Sequence, residues 1–319
     1  MITDIHVHLI GIREEHGCRI HPRMLKGFLY NYLVRILGLG GVKRENLDEV
    51  YREELVRRVE ESDLDRVGLL ALDGVYDHRG ELDCERTNVL VGNDYCLEAC
   101  RLSPKLAPIC SVNPQRRDAL DELERVREKG AVALKAVPNS QAFDPGNPRY
   151  RGFWKRVADL GLPLVSHTSF EHTVPVHDQA LGRPERLRPA LECGVTVIAA
   201  HCAAAGVTHL HEDLPTWFGM IREFPNLYGD ISSMASPARF PYLRRVLAHD
   251  LARERILLGS DYPVPVLPFL FLPRLGFSRV RELHRIQNPL QRNLVTFRAL
   301  GVAEEALRRA SKILKLSPS

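Results

Sequence analysis

Near its N-terminus the chain reads Thr3-Asp4-Ile5-His6-Val7-His8-Leu9. Polar and apolar residues alternate there, which is the pattern of a β-strand. Successive strand side chains point to opposite faces, so alternation puts His6 and His8 on one face, with Asp4 one step deeper. Two imidazoles one strand repeat apart can hold a single metal ion, and imidazole suits Zn, Fe, Ni and Cu alike. Alone, H-x-H is a weak motif. Its weight comes from three more polar residues at the ends of later apolar runs: His167, His201 and Asp261.

Working outward from that strand, short apolar runs alternate with amphipathic stretches to the end of the chain. The strand runs are 66–72, 106–112, 131–137, 162–167, 195–201, 226–231 and 255–261. Between them the periodicity predicts helices from 46 or 48 to about 62, then over 86–102, 116–129, 148–160, 184–193, 213–224 and 237–252. Gly130, Gly161 and Gly194 stand where helices stop. A last helical segment, about 278–316, breaks near Asn288-Pro289. Near-continuous apolar strands are buried on both faces. Strand–helix alternation argues for a parallel sheet, and eight units argue for a closed (β/α)8 TIM barrel of the α/β class. No G-x-G-x-x-G or P-loop follows a strand, which disfavours an open doubly wound sheet. The even spacing makes residues 1–319 one domain. A long loop follows strand one, at about 10–46, with a short helix expected over 24–37.

Composition is that of an ordinary globular chain: 319 residues, 45% hydrophobic and 26% charged, with net charge +4. The basic residues are scattered, so no nucleic-acid partner is expected. Seven cysteines form no C-x-x-C pair and read as small buried hydrophobes in a reducing compartment. No leader-like or bilayer-length apolar run is present, so a cytoplasmic chain without a membrane partner is expected. The apolar stretch 264–273 is interrupted by prolines and reads as a loop packing on or lining the site.

In such a barrel the C-terminal ends of the strands share one mouth. Strand one ends in His6 and His8, strand five in His167, strand six in His201 and strand eight in Asp261. Burying any one of these unpaired would cost about 2 kcal/mol or more. Four such endings aimed at one point are hard to explain without a metal.

The whole set resembles the signature of the amidohydrolase superfamily. The phrases ALKAVPNSQAFDP, PLVSHT, PNLYGDIS and ILLGSDYP are similar to its amidohydrolase-related branch, which includes aromatic-acid decarboxylases, lactonases and other hydrolases. The resemblance implies that His6, His8, His167 and Asp261 bind one divalent metal, zinc or else manganese. It implies that His201 contacts the reactive water or substrate, and that Asp261 or His201 takes the proton. In binuclear branches a strand-four lysine is carbamylated and bridges two metals. Lys135 stands at that place; otherwise it snorkels or pairs with Asp73 or Asp230. A lysine rather than a glutamate there counts against phosphoester hydrolysis.

Secondary candidates follow from position. Asp230 ends strand seven and could orient a ligand histidine. Arg13, His16, Arg79 and Arg239 are loop cations that could hold a substrate carboxylate. His172, His177, His209, His211 and Glu212 lie in loops after strands five and six. Trp217, Tyr262 and Phe269 could wall an apolar pocket. The resulting expectation is a hydrolase that uses a metal-activated water on an amide, lactone or other ester of a small molecule. The alternatives are non-oxidative decarboxylation of a small unsaturated or aromatic acid, which a carboxylate-binding arginine in the mouth would favour, and a non-catalytic metal-stabilised binding protein. A homo-oligomer stays open.

Overall fold

The computed structural model describes residues 1–25, 34, 35, 37, 39–171, 173–207 and 212–317. Its centre is a barrel of eight parallel strands: β1 (Thr3–His8), β2 (Arg66–Leu70), β3 (Leu106–Cys110), β4 (Ala133–Ala136), β5 (Leu164–Ser166), β6 (Val197–Ala199), β7 (Leu227–Asp230) and β8 (Ile256–Leu257). Each pairs in parallel with the next in chain order. The cylinder closes where Ile5 N donates to Leu258 O (3.1 Å), Asp261 N to His6 O (2.8 Å) and His8 N to Tyr262 O (2.9 Å).

Helices follow the strands as the apolar periodicity predicts, with shifted ends. The predicted 86–102 helix is a short strand, Val89–Leu90, then a helix over Asn93–Ala99 and a 3-10 turn over Cys100–Leu102. Val89–Leu90 pairs antiparallel with Arg19–Ile20 of the long first loop, so that pairing replaces helix over part of the stretch. The 237–252 region is two helices, Phe240–Ala248 and Asp250–Arg255, broken at extended His249. The final segment starts earlier than expected, at Leu272, and runs as Leu272–Arg285, Pro289–Ala299 and Glu304–Ile313. Of the helix expected over 24–37, Pro22–Leu25 is described; most of the rest lies outside the described residues. The stretch 264–273 begins packed against the end of β8, with Val264 N bonded to Asp261 O (2.8 Å) and Leu267 N to Ala235 O (2.9 Å). It forms a 3-10 turn, Pro268–Phe271, leading into helix Leu272–Arg285, with Phe269 53% exposed. Among the described residues no helix is long and apolar enough to cross a membrane.

Strict alternation fails in β1. Asp4 lies opposite Val67 and Val7 opposite Leu69, so three steps on β1 match two on β2. This is a β-bulge, and it changes which residues face inward. Ile5 joins the barrel-interior cluster of Leu70, Ile109, Ala133, Val165, Ile198 and Leu257, closed by Ala310 and Leu314 of the last helix. Asp4 is therefore not on the His6/His8 face. It is buried beside β8, accepting hydrogen bonds from His6 N and Ser260 N, each 3.0 Å. Room for the bulge comes from Gly68, where a Cβ would stand 2.5 Å from Ile109 Cδ1 and 3.3 Å from Ile5 Cα.

Candidate metal centre

The mouth gathers the polar strand ends. Past the bulge, His6 and His8 point the same way, with ring centroids 5.2 Å apart. Asp261 follows β8 in a left-handed conformation (φ 65°), its amide held by His6 O. This turn brings Asp261 Oδ1 to 3.1 Å from His8 Nε2 and 3.3 Å from His6 Nε2. One ligand atom from each of His6, His8 and Asp261 lies within 4.8 Å of the others, a group able to hold a metal ion.

His201 and His167 complete the ring of imidazoles. The His201 ring centroid is 5.4 Å from that of His6 and 5.2 Å from that of His167. His167 lies outside the tight three-residue group. Its buried Nε2 nevertheless has no hydrogen-bond partner among the described residues, an arrangement that costs about 1–3 kcal/mol unless something occupies it.

The tautomers are set from behind. His6 Nδ1 donates to the Asp230 carboxylate (2.8 Å), which leaves its Nε2 as a lone pair. His201 Nδ1 donates to Ser232 O (3.0 Å), with the same result. Asp230 also receives His201 N (2.8 Å) and the Ser232 hydroxyl. Of its two open roles, Asp230 thus has the position of a residue that orients a ligand histidine. Ser232 was not picked out individually in the sequence, although it lies two residues beyond Asp230 in PNLYGDIS.

Burial pulls the histidines toward the neutral form: His6 is lowered, His201 lies well below its ordinary value, and His167 falls to about 4. Burial raises Asp261 and Asp230, but neighbouring imidazoles outweigh it and hold both well below the usual carboxylate range; His6 and His8 act on Asp261, His6 and His201 on Asp230. Burial alone dominates Asp4 and lifts it to about 7. Neutral imidazoles beside ionised carboxylates are the protonation states a divalent cation needs.

Lys135 reaches into the same centre, with Nζ 3.2 Å from His6 Nε2. It is buried, which lowers its pKa, and Asp230 and Asp261 are the carboxylates that oppose this most. Asp73 is not its partner; it is bound by Tyr76 Oη (2.7 Å) and by the amides of Gly74 and Asn113 (both 2.8 Å).

Among the loop cations only Arg239 belongs to this centre. It is buried, with Nε donating to Ala204 O (3.0 Å) and Nη2 to Phe170 O (2.9 Å), and it feels the charges of Asp261, Glu171 and Asp230. Arg13 is used in its own loop, donating to Glu49 Oε1 and Glu45 O (both 2.9 Å). His16 packs on Tyr95 and contacts Asp48 (2.9 Å), and Arg79 is exposed. His177 bonds Arg86 O, and Glu212 pairs with Arg245. His172, His209 and His211 lie outside the described residues. No aromatic wall forms from the three candidates: Trp217 packs under β7, Tyr262 takes the Arg58 guanidinium, and Phe269 is exposed.

One largely enclosed acid went unread in the sequence. Glu171 Oε2 stands 3.3 Å from His167 Nδ1. Its only signal is the four-residue step from His167.

Comparisons with known proteins agree with this architecture. An uncharacterised TIM-barrel protein from Bordetella bronchiseptica superposes with a TM-score of 0.65 at 14% identity, over 98% of both chains. A probable 2-pyrone-4,6-dicarboxylic acid hydrolase from Acinetobacter baumannii gives 0.53 at 11% identity over 99% of both. A dihydroxybenzoic acid decarboxylase from a Polaromonas species, solved with manganese and an inhibitor, gives 0.54 at 14% identity over 98% of this chain and 96% of that one. No curated protein matches the chain. The family model described as amidohydrolase matches residues 4–270, a span that takes in His6, His8, His167, His201 and Asp261 alike, and the chain accordingly belongs to the amidohydrolase family.

Proposed function

We propose that the chain is a metal-dependent hydrolase acting on an amide, lactone or other ester of a small organic acid. The observation that carries this reading is the approach of His6, His8 and Asp261 to within 4.8 Å, beside a His167 Nε2 that has no partner. Three imidazoles and a carboxylate suit zinc or manganese. When bound, such an ion acidifies a water and polarises a carbonyl oxygen.

The chain's own groups supply the rest. His6, His8, His167 and Asp261 would hold the ion. His201, kept neutral by burial and fixed through Nδ1, offers Nε2 as a proton acceptor. Asp261 is the alternative acceptor. Arg239, gripped by two backbone carbonyls, is placed to bind a substrate carboxylate and orient the reacting group. Lys135, if carbamylated, would add a carboxylate for a second ion; unmodified, its ammonium opposes one, and a single ion is the reading adopted.

Arg239 also favours a second reading, non-oxidative decarboxylation of a small unsaturated or aromatic acid. There the arginine holds the departing carboxylate and a site acid protonates carbon. The names of the two structural relatives above point to carboxylic acids in both reaction classes. The test is metal analysis of the purified chain, then turnover of lactone and aromatic-acid panels with and without chelator. Chelator-sensitive ring opening supports hydrolysis, and chelator-sensitive CO2 release supports the second reading. Tightly bound metal without turnover across both panels would favour a metal-stabilised binding protein.

A further inference from the structure

Glu171 is an expensive residue to bury, and the fold takes trouble over it. Its carboxylate accepts hydrogen bonds from Thr173 N (2.6 Å), Val174 N (3.0 Å) and the Thr173 hydroxyl. Its backbone is clamped by Gln179, whose Oε1 accepts from Glu171 N (3.1 Å) while Nε2 donates to Glu171 O (2.9 Å). All of this delivers one oxygen, Oε2, to 3.3 Å from His167 Nδ1. No lysine or arginine forms an ion pair with Glu171 among the described residues.

The arrangement is a looser version of what Asp230 does for His6, where the carboxylate is hydrogen-bonded at 2.8 Å rather than in ion-pair contact at 3.3 Å. In each case a carboxylate, fully buried at Asp230 and 10% exposed at Glu171, stands at Nδ1, and Nε2 on the far side of the ring faces away from it. An acceptor-only carboxylate draws the ring proton to Nδ1 and leaves Nε2 as a lone pair. At His167 that lone pair is buried and unpartnered. We propose that Glu171 is a positioning residue: it fixes His167 as the Nδ1–H tautomer so that Nε2 is a ready metal ligand. The metal half of this statement rests on the proposed function; the tautomer half does not.

The test therefore reads both halves separately on the full chain. Two-dimensional 15N NMR of the metal-free protein, with His167 assigned by its disappearance in His167→Gln, should show Nδ1–H for the wild type. Glu171→Met keeps volume but removes both oxygens. It should shift His167 toward Nε2–H and weaken Mn2+ binding about 10- to 100-fold. Glu171→Gln, which retains an acceptor oxygen, should restore most of both. Thr173→Val removes one of the three bonds that hold the Glu171 carboxylate while leaving both its oxygens in place, and should move both readouts in the same direction as Glu171→Met but by much less. A wild-type His167 found as Nε2–H overturns the proposal with no variant needed, as does an unchanged tautomer in Glu171→Met. A Thr173→Val loss equal to that of Glu171→Met assigns Glu171 to the loop instead and also overturns it. Wild-type protein that binds no Mn2+ yet shows the tautomer shift refutes the metal reading and leaves the positioning role standing.

Discussion

The two ends of the barrel meet the same backbone problem with different residues. At the N-terminal end, where helices hand back to strands, the left-handed positions belong to Gly130 (φ 101°), Gly161 (φ 63°) and Gly194 (φ 90°). Each caps its helix in the same way. Gly130 N bonds Arg127 O and Ala131 N bonds Val126 O, and the pairs at Gly161 and Gly194 match. In the loops at the mouth glycines take left-handed positions too, Gly17, Gly41, Gly80 and Gly206, but so do the non-glycine residues Ala142, Ser169, His201, Cys202, Ala203, Ser233 and Asp261. Glycine adopts that region freely, whereas any other residue carries a cost of about 1–2 kcal/mol. A glycine at 201 or 261 would make the turn and carry no imidazole or carboxylate. Strain is thus concentrated where the side chain is wanted at the turn itself.

The sharpest way to break this contrast is to remove chemistry at one end and packing at the other. Asp261→Ala should lower kcat/KM about 1000-fold or more and release bound metal, with the barrel intact by circular dichroism. His201→Ala should lose activity similarly but retain most metal; an empty site in that variant would make His201 a ligand rather than a base. Ile109→Ala, in the interior layer beneath the histidines, should do the reverse. It removes a fully buried side chain and should cost about 2–5 kcal/mol in denaturant unfolding, with kcat/KM little changed. If Ile109→Ala silences a folded enzyme, the two ends are not independent.

Acid should act mainly through the mouth. Folded His167 is pulled from 6.5 to about 4, so between those values the unfolded chain binds a proton that the native one refuses. Stability must then fall as pH drops from 6.5 toward 4, by roughly 3 kcal/mol for this residue, and His6 and His201 act in the same direction. Asp4 opposes them. Its native carboxyl keeps a proton up to about 7, so its contribution weakens as pH rises from about 4 to 7. Urea unfolding of the metal-free chain across pH 4–8 should show the acid loss, and Asp4→Asn should make it steeper. A flat profile would mean the histidines are not buried as neutral bases.

How much of this could be read beforehand also divides along the barrel. The strands were legible because apolar runs buried on both faces leave few alternatives, and His6, His8, His167, His201 and Asp261 were legible because each ends such a run. The β1 bulge was not. Ile5 and Asp4 obey alternation perfectly in sequence, and only the crowding at Gly68 and Ile109 shows which one turns inward. Glu171 and Ser232 lie in loops with no periodicity to mark them. Arg239 looked like Arg13 and Arg79 because a loop cation is distinguished only by what closes over it, here the carbonyls of Ala204 and Phe170.

The smallest expected effect tests the contrast most directly. Lys315 is the one left-handed non-glycine residue away from the mouth among the described residues. It occupies the glycine place of the cap on the last helix, where Lys315 N bonds Lys312 O and Leu316 N bonds Ser311 O. Nothing there calls for a side chain, so Lys315→Gly should relieve strain. After the extra freedom of the unfolded chain is subtracted, a gain of about 0.5–1 kcal/mol with unchanged kcat/KM should remain. Ala203→Gly relieves the same strain but also deletes a buried methyl, worth about 0.8 kcal/mol, so its net effect on stability should be close to zero. Its kcat/KM should nevertheless fall several-fold, because the turn that aims His201 through positions 201–203 is loosened. If both variants gain stability and both keep full activity, the left-handed non-glycine residues at the mouth are incidental to the chemistry, and nothing functional separates them from Lys315.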